Sequence, residues 1–192
     1  MEREFYIVGI GASKGGLKAL KEFFDHIPES IPAAFIVVTH LNRERYSILA
    51  SLLVPHSSLP VARVDQDVKI QPGNIYVLTE NTALTTENGW LKVSPRDGKV
   101  INSSVDIFFK SLATQFKERA IGIVLSGGGN DGLAGALELK DSGGLVMAQN
   151  LLTAEFVGMP GSIIDHDHPV AVLNPAKLAE KLVELCALSY GR

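Results

Sequence analysis

The feature that most constrains the fold is a short apolar run near the amino terminus that passes through small residues into a helical pattern. The apolar run covers residues 7–11, the small residues surround Ser13 and end at Gly16, and the helical pattern covers residues 17–24. Such a strand–turn–helix unit presents backbone N–H groups at the helix N-terminus, where a hydroxyl or a bound anion is stabilised. The turn is therefore a helix cap, a phosphate cradle or the site of a nucleophilic serine.

Length and composition favour a single α/β domain over residues 1–192. The chain is 46% hydrophobic and 20% charged, and its length is sufficient for a core without disulfides. The net charge is −3 and no basic run occurs, so we expect no nucleic-acid partner. The one cysteine, Cys186, excludes an internal disulfide and is expected to be a small buried hydrophobe.

The sequence also predicts a compartment. Residues 1–4 include two acidic side chains and do not resemble the start of a secretory signal. No apolar run approaches the ~20 residues of a membrane span, so we expect no membrane insertion. Together with the single cysteine, these features predict a cytoplasmic location.

Strand-like and helical runs alternate at both ends of the chain. The strand-like runs are residues 5–11, 33–39, 61–64, 75–78, 83–86, 90–93, 120–125 and 145–148. The helical patterns are residues 17–24, 45–53, 105–116, 134–140 and 176–188. This alternation predicts parallel β–α–β units, and the unbroken apolar runs predict strands that are covered on both faces. The middle of the chain, residues 61–100, has short runs separated by turn residues, which predicts hairpins attached to the parallel sheet.

Three polar residues follow strand-like runs at equivalent places. Ser13 follows the first run, His40 directly follows residues 33–39, and Asp131 follows residues 120–125 through a glycine-rich turn. Because ligands of an open α/β sheet bind outside the carboxyl ends of its strands, we expect the three residues to converge. A hydroxyl, an imidazole and a carboxylate are the components of an acyl-transfer triad. Their order along the chain, without a Gly-x-Ser-x-Gly elbow, disfavours a standard lipase or esterase.

Each of these residues also has a structural interpretation. Ser13 has the position of a helix N-cap, and Asp131 has the position of a cap for a helix that starts near Leu133. A histidine at the end of an apolar strand, such as His40, is more typical of a hydrogen-bonded structural residue than of a base. The occurrence of all three at strand ends favours the catalytic hypothesis.

A cofactor or metal site has weaker support. Gly9 and Gly11 match the first two glycines of a dinucleotide-binding turn, but Lys14 occupies the position of the third. The acidic residue expected near the end of the second strand is replaced by His40. The run His166-Asp167-His168 lacks further ligands at suitable spacing, which favours a solvated loop. We therefore expect no cofactor and no metal.

Short motifs occur in order along nearly the whole chain. They are the run from Ile10 to Gly16, Thr39-His40, Pro72-Gly73-Asn74-Ile75-Tyr76, Ser104-Val105-Asp106, Gly129-Asn130-Asp131-Gly132, Ala148-Gln149-Asn150 and Gly158-Met159-Pro160. Together they resemble the catalytic domain family of the chemotaxis protein-glutamate methylesterase, CheB. The resemblance implies an α/β fold with a doubly wound, mainly parallel sheet, helices on both faces and a small antiparallel β-hairpin addition.

The resemblance also implies an activity and a set of roles. The family hydrolyses γ-glutamyl methyl esters on the signalling domains of methyl-accepting chemoreceptors, and some members deamidate glutamines there. By position, Ser13 corresponds to the nucleophile, His40 to the general base and Asp131 to the carboxylate that orients it. The oxyanion needs preorganised donors, and backbone N–H groups are available in both glycine-rich turns. The vicinity of this oxyanion site is expected to include Lys14, Gly128, Gly129 and Met159.

The sequence departs from the family pattern at three places. Lys14 stands where the family usually has threonine, and Gly128 stands where it usually has methionine. The basic stretch that the family often carries before Ser104 is replaced by residues 100–103. These departures leave an alternative hypothesis, a CheB-like receptor-binding module with impaired turnover. Because the chain starts at the first catalytic strand, we expect no receiver domain, and the sequence does not identify a regulator.

Overall fold

A parallel sheet forms the centre of the structure, a computed structural model that describes residues 5–40, 46–97 and 103–190. Its strands are β1 (Tyr6–Ala12), β2 (Ala33–Thr39), β3 (Val61–Val64), β5 (Ile75–Leu78), β8 (Ala120–Val124), β9 (Leu145–Gln149) and β10 (Ala171–Leu173). The seven strands lie in the order β10-β9-β8-β1-β2-β5-β3, and all their pairings are parallel. The order reverses direction between β1 and β8, which is where open α/β sheets bind ligands.

A second, antiparallel sheet contains β4 (Val68–Lys69), β6 (Thr82–Glu87) and β7 (Trp90–Pro95), in the order β4-β7-β6. The prediction that the whole middle segment forms hairpins was wrong for β3 and β5, which extend the parallel sheet. All four residues of β5 are buried, as expected of a strand that is covered on both faces. Within this sheet, β6 and β7 are joined by a two-residue turn, Asn88-Gly89, that favours a hairpin.

Helices cover both faces of the parallel sheet. They are α1 (Gly16–Phe24), α2 (Leu49–Leu53), α3 (Ser104–Phe116), α4 (Leu133–Asp141), α5 (Gly158–His166) and α6 (Pro175–Tyr190). The buried side chains of α1, α2 and α6 share one apolar cluster with the sheet. Those of α3, α4 and α5 share the other cluster, to which the antiparallel sheet contributes. The predicted doubly wound α/β fold is confirmed.

Several element predictions need adjustment. The helical pattern over residues 45–53 yields only α2 from Leu49 onward, and residues 41–45 lie outside the described part of the chain. Residues 98–102, which include most of the stretch that replaces the family's basic run, also lie outside it. The sequence does not predict α5, because Gly158, Pro160 and Gly161 are poor helix formers.

The glycines of β1 allow α3 to lie close against the strand. A Cβ atom on Gly11 would lie 2.5 Å from Val105 Cγ1, and one on Gly9 would lie 2.9 Å from Phe109 Cε1. Val105 and Phe109 are themselves fully buried in the cluster on this face. These two glycines are therefore explained by packing against α3, without a bound dinucleotide.

Two further predictions concern single features of the chain. Cys186 is buried, as predicted, and burial raises the pKa of its thiol to about 12. Among residues 5–40, 46–97 and 103–190, no helix is long and apolar enough to span a membrane.

Asp167 lies in a very different environment from the predicted solvated loop. Its side chain is fully buried at the end of α5, and no described residue donates a hydrogen bond to its carboxylate. Lys140 Nζ lies 4.0 Å from Asp167 Oδ1 and donates to the Asp167 carbonyl oxygen instead. Burial raises the pKa of Asp167, and the nearby Asp141 raises it further, while Lys140 and His168 oppose the rise.

Because the pKa of Asp167 is raised, we expect its contribution to the free energy of unfolding to fall as the pH rises. A raised pKa in the folded state means that folded Asp167 binds its proton more tightly than unfolded Asp167, whose pKa is about 3.9. Below the unfolded pKa, Asp167 is protonated in both states and its burial carries no charge penalty. Above the raised folded pKa, the folded protein bears the full cost of a buried charge. Asp167→Asn should therefore match the wild type at acid pH and become the more stable protein as the pH rises, measured by urea unfolding between about pH 3.5 and 8.

Asp165→Asn is the control, because it removes an exposed charge two residues away while Asp167 remains. Parallel stability profiles of Asp167→Asn and wild type across this pH range would contradict the account.

Candidate active site

Ser13 lies in the turn between β1 and α1, and its hydroxyl is not used to cap the helix. The N-cap of α1 is Gly15, whose φ of 73° suits a glycine, and no side chain caps this helix. The Ser13 N–H donates to the carbonyl oxygen of Ser126, 3.0 Å away, which ties the turn to the segment after β8. The interpretation of Ser13 as an N-cap was therefore wrong, and its hydroxyl faces His40.

The register of the parallel sheet brings His40 beside Ser13. Ala12, the last residue of β1, pairs with Thr39, the last residue of β2, so the next residue on each strand leaves the sheet at the same level. His40 Nδ1 lies 3.1 Å from Ser13 Oγ. The imidazole side chain is 14% exposed, so one edge remains open to solvent and to a ligand.

Asp131 reaches His40 from the other side of β1. It follows β8 through a glycine-rich turn, and its Oδ2 lies 2.6 Å from His40 Nε2. Its side chain is 1% exposed, and its carboxylate accepts backbone N–H groups from Val105 at 3.0 Å and Asp106 at 2.9 Å. These amides belong to the first turn of α3, where the helix dipole also favours a negative charge. Asp131 therefore caps α3, and the alternative interpretation, that it caps the helix near Leu133, was wrong.

The hydrogen-bond partners of His40 favour one of its two tautomers. A carboxylate oxygen has no proton to donate, so Asp131 Oδ2 accepts both the Val105 N–H and the His40 Nε2–H. Nδ1 then presents its lone pair to the Ser13 hydroxyl, which donates to it. In serine proteases the two nitrogens have the opposite assignment, with Nε2 facing the serine. The arrangement can still remove a proton from Ser13 and stabilise the resulting imidazolium.

A second carboxylate, Asp106, makes the capping of α3 and α4 reciprocal. Asp106 Oδ1 accepts the N–H of Gly132 at 3.0 Å and that of Gly135 at 2.9 Å, at the start of α4. Asp131 caps α3 while Asp106, in α3, caps α4, so the two helix starts hold each other in place. Burial raises the pKa of Asp106, the Gly135 amide opposes the rise, and the nearby Asp131 carboxylate adds to it.

This reciprocal capping predicts that the Asp106 side-chain oxygen holds the backbone that follows Asp131 in place. Asp106→Ala leaves the amides of Gly132 and Gly135 without a partner and should reduce the free energy of unfolding by about 1–2 kcal/mol. Asp106→Asn keeps an acceptor oxygen at the same place and should lose less. Urea denaturation of both variants measures the difference, and equal losses would show that the side-chain oxygen does not hold α4.

The residues predicted around the oxyanion site lie in two glycine-rich turns and one helix. Lys14 is exposed, and its ammonium lies 5.9 Å from the centre of the Phe156 ring. Met159 is fully buried, and its sulfur fills the space where a Cβ of Gly127 would lie. Gly129, with a φ of 79°, packs against Gly158, where a Cβ would lie only 2.7 Å from the Gly129 nitrogen.

Some backbone N–H groups in the turns around Ser13 make no hydrogen bond to another described residue. The amides of Ser13, Gly127 and Met159 donate to carbonyl oxygens. Among the hydrogen bonds of the described residues, none uses the amide of Lys14, Gly128 or Gly129 as a donor. These three are among the amides in the two turns that stay available to a developing negative charge.

The sequence did not assign a role to Ser126. Its hydroxyl donates to the Lys14 carbonyl oxygen at 2.8 Å and accepts the Phe156 N–H at 3.0 Å. Its own N–H donates to Gln149 Oε1 at 2.8 Å. Ser126 therefore joins the Ser13 turn to the segment that follows β9. Two features of the sequence could have pointed to this role. Ser126 directly follows the apolar run over residues 120–125, and the motif Ala148-Gln149-Asn150 contains its partner Gln149.

The fold and the site define an α/β protein with a serine–histidine–aspartate arrangement at the switch point of a parallel sheet. The chain belongs to the CheB methylesterase family, whose family model matches residues 8–182. The family predicted from the sequence motifs is thereby confirmed.

Relatives and a solved structure cover most of the chain. The protein-glutamate methylesterase/protein-glutamine glutaminase of Thermotoga maritima is 32% identical over 184 residues, which are 93% of this chain and 54% of the relative. A protein of the same description from Burkholderia thailandensis, numbered 4, is 33% identical over 181 residues, covering 93% of this chain and 53% of the relative. The crystal structure of the Thermotoga maritima CheB methylesterase catalytic domain has a TM-score of 0.86 and 31% identity, covering 95% of this chain and 100% of that chain. This chain thus spans about half the length of the curated relatives that it matches.

Proposed function

We propose that this chain is a protein-glutamate methylesterase that hydrolyses γ-glutamyl methyl esters on the signalling domain of a methyl-accepting chemoreceptor. The observation that carries the proposal is the contact of His40 with both Ser13 Oγ at 3.1 Å and Asp131 Oδ2 at 2.6 Å. Membership of the CheB methylesterase family supports the ester as the substrate class. A cytoplasmic location stays a prediction.

In the acylation step, Ser13 Oγ attacks the ester carbonyl carbon while His40 Nδ1 takes the hydroxyl proton. Asp131 accepts the Nε2–H throughout, which keeps the lone pair of Nδ1 directed at Ser13 and stabilises the imidazolium. The tetrahedral intermediate then collapses, the C–O bond to the methoxy group breaks, and Nδ1–H protonates the leaving oxygen to give methanol.

In the deacylation step, water attacks the acyl carbon and transfers a proton to His40 Nδ1. Collapse of the second tetrahedral intermediate returns that proton to Ser13 Oγ and frees the glutamate side chain. The same sequence on a glutamine side chain would release ammonia in place of methanol. This is the second activity in the printed name of the Thermotoga maritima relative.

The oxyanion of both intermediates needs donors that are already in place. The amides of Lys14, Gly128 and Gly129, in the turns around Ser13, supply this function in our proposal. Because the donors are backbone groups, the departures from the family at Lys14 and Gly128 keep them available. Glycine at position 128 leaves open space, since a Cβ there would contact nothing within 4 Å.

The proposal predicts a large loss of turnover when the nucleophile is removed. Ser13→Ala should reduce methanol release from a methyl-esterified chemoreceptor signalling fragment by on the order of 10³-fold or more, because it removes the hydroxyl that forms the acyl-enzyme in our proposal. Ser58→Ala, which alters an exposed serine outside the site, is the control and should retain full activity.

A serine-reactive fluorophosphonate probe separates the enzyme from the alternative, a receptor-binding module with impaired turnover. The enzyme should be labelled at Ser13, and labelling should be lost in His40→Ala. Binding of the receptor fragment without methanol release or labelling would support the binding module and overturn the esterase.

A further inference from the structure

The segment after β9, residues 150–157, exposes large apolar side chains beside the site. Leu152 is 97% exposed, the highest value among the large apolar side chains that the structure describes. Leu151, Phe156 and Val157 in the same segment are also exposed, at 43%, 38% and 49%. We refer to residues 150–157 as the apolar loop. Four exposed large apolar side chains within eight residues are more than the scattered single ones of an ordinary surface, and large apolar patches mark surfaces that another molecule covers.

The apolar loop is held in a defined conformation. Asn150 Oδ1 accepts the backbone N–H of Thr153 at 3.0 Å and its hydroxyl at 2.7 Å, which closes the turn that carries Leu151 and Leu152 at its tip. Gln149 Nε2 also donates to Thr153 Oγ1, 3.3 Å away. Docking against a turn that is already formed costs less conformational entropy than ordering a mobile segment.

The apolar loop is also fixed relative to Ser13. The Phe156 N–H donates to Ser126 Oγ at 3.0 Å, and the Phe156 carbonyl oxygen accepts the Gly127 N–H at 3.0 Å. Ser126 in turn accepts the Ser13 N–H through its carbonyl oxygen and donates its hydroxyl to the Lys14 carbonyl oxygen. Any molecule that binds this loop is therefore held at a set position relative to the serine.

A groove of about 500 Å³ separates the apolar loop from α1. Gly15, two residues after Ser13, is one of its lining residues, and residues 152–155 line it from the loop. Lys18 on α1 and Glu155 on the loop place one charge of each sign along it, and Glu22 adds a second negative charge. The groove is large enough for an apolar side chain, and its charged walls suit a partner that is itself a protein surface.

We propose that the apolar loop and this groove form the docking surface for the protein that presents its ester to Ser13. An apolar side chain near the esterified glutamate of that protein packs against Leu152, and its neighbours lie along the groove. The inference rests on the proposed function for the identity of this partner. It is supported by continuity with the site, because Gly15 lines the groove two residues after Ser13. The hydrogen bonds of Ser126 to Phe156 and Lys14 also join the loop to the Ser13 turn.

The test measures binding separately from turnover. A methyl-esterified chemoreceptor signalling fragment is titrated onto the full chain carrying Ser13→Ala, which cannot turn the fragment over. Adding Leu152→Ser should weaken the dissociation constant about tenfold or more, since burial of a leucine side chain is lost. Leu152→Met keeps an apolar side chain and should bind within a few-fold of the parent.

Leu188→Ser is the matched control, because Leu188 is also a highly exposed leucine, at 71%, and it lies on α6. It should bind like the parent, and thermal unfolding should show that all variants are folded. Equal affinity of the parent and Leu152→Ser would overturn the docking surface, as would failure of the parent to bind the fragment. If Leu152→Ser weakens binding but the wild type releases no methanol, the docking surface stands and the proposed esterase function fails.

Discussion

The close approach of α3 to β1 is the constraint on which the site depends. Gly11 leaves room for Val105, whose Cγ1 would lie 2.5 Å from a Cβ at that position. This contact places the first turn of α3 beside the carboxyl end of β1, where Ser13 follows. The amides of that turn then hold the Asp131 carboxylate, which is almost completely buried. Without the small residue in the strand, the helix start and the carboxylate would both lie further from His40.

Burial of Asp131 is tolerable because helix amides replace the water that its carboxylate loses. The chain uses the same solution for Asp106, whose carboxylate accepts two amides at the start of α4. Asp167 shows the contrasting case, a fully buried carboxylate to which no described residue donates a hydrogen bond. The two carboxylates that accept amides lie at the sheet edge where the chemistry is proposed, while Asp167 lies at the far end of α5.

Much of the fold and the convergence of the site residues could be predicted from the sequence, because both follow from local patterns. Unbroken apolar runs identified most of the parallel strands, and parallel strands end at a common edge, so Ser13 and His40 had to lie near each other. The cap of α1 could not be assigned, because spacing alone does not distinguish Ser13 from Gly15 as the N-cap.

The remaining features depend on contacts between distant segments. The helix that Asp131 caps starts 27 residues before it in the chain, at Ser104, and no local pattern links the two. Likewise, the link from Ser126 to Phe156 spans 30 residues. The burial of Asp167 contradicts its polar neighbours, His166 and His168, which are both exposed. Such features are set by tertiary packing, which overrides the local sequence pattern.

The central claim is that His40 links Ser13 to Asp131 with its proton on Nε2. Nitrogen-15 and proton NMR of histidine-labelled protein tests it most directly, at a pH high enough to keep the imidazole neutral. His40 should carry a strongly deshielded Nε2 proton, Nδ1 should be unprotonated, and the proton signal should move or disappear in Asp131→Ala. A proton on Nδ1, or an Nε2 proton that does not respond to Asp131→Ala, would contradict the account.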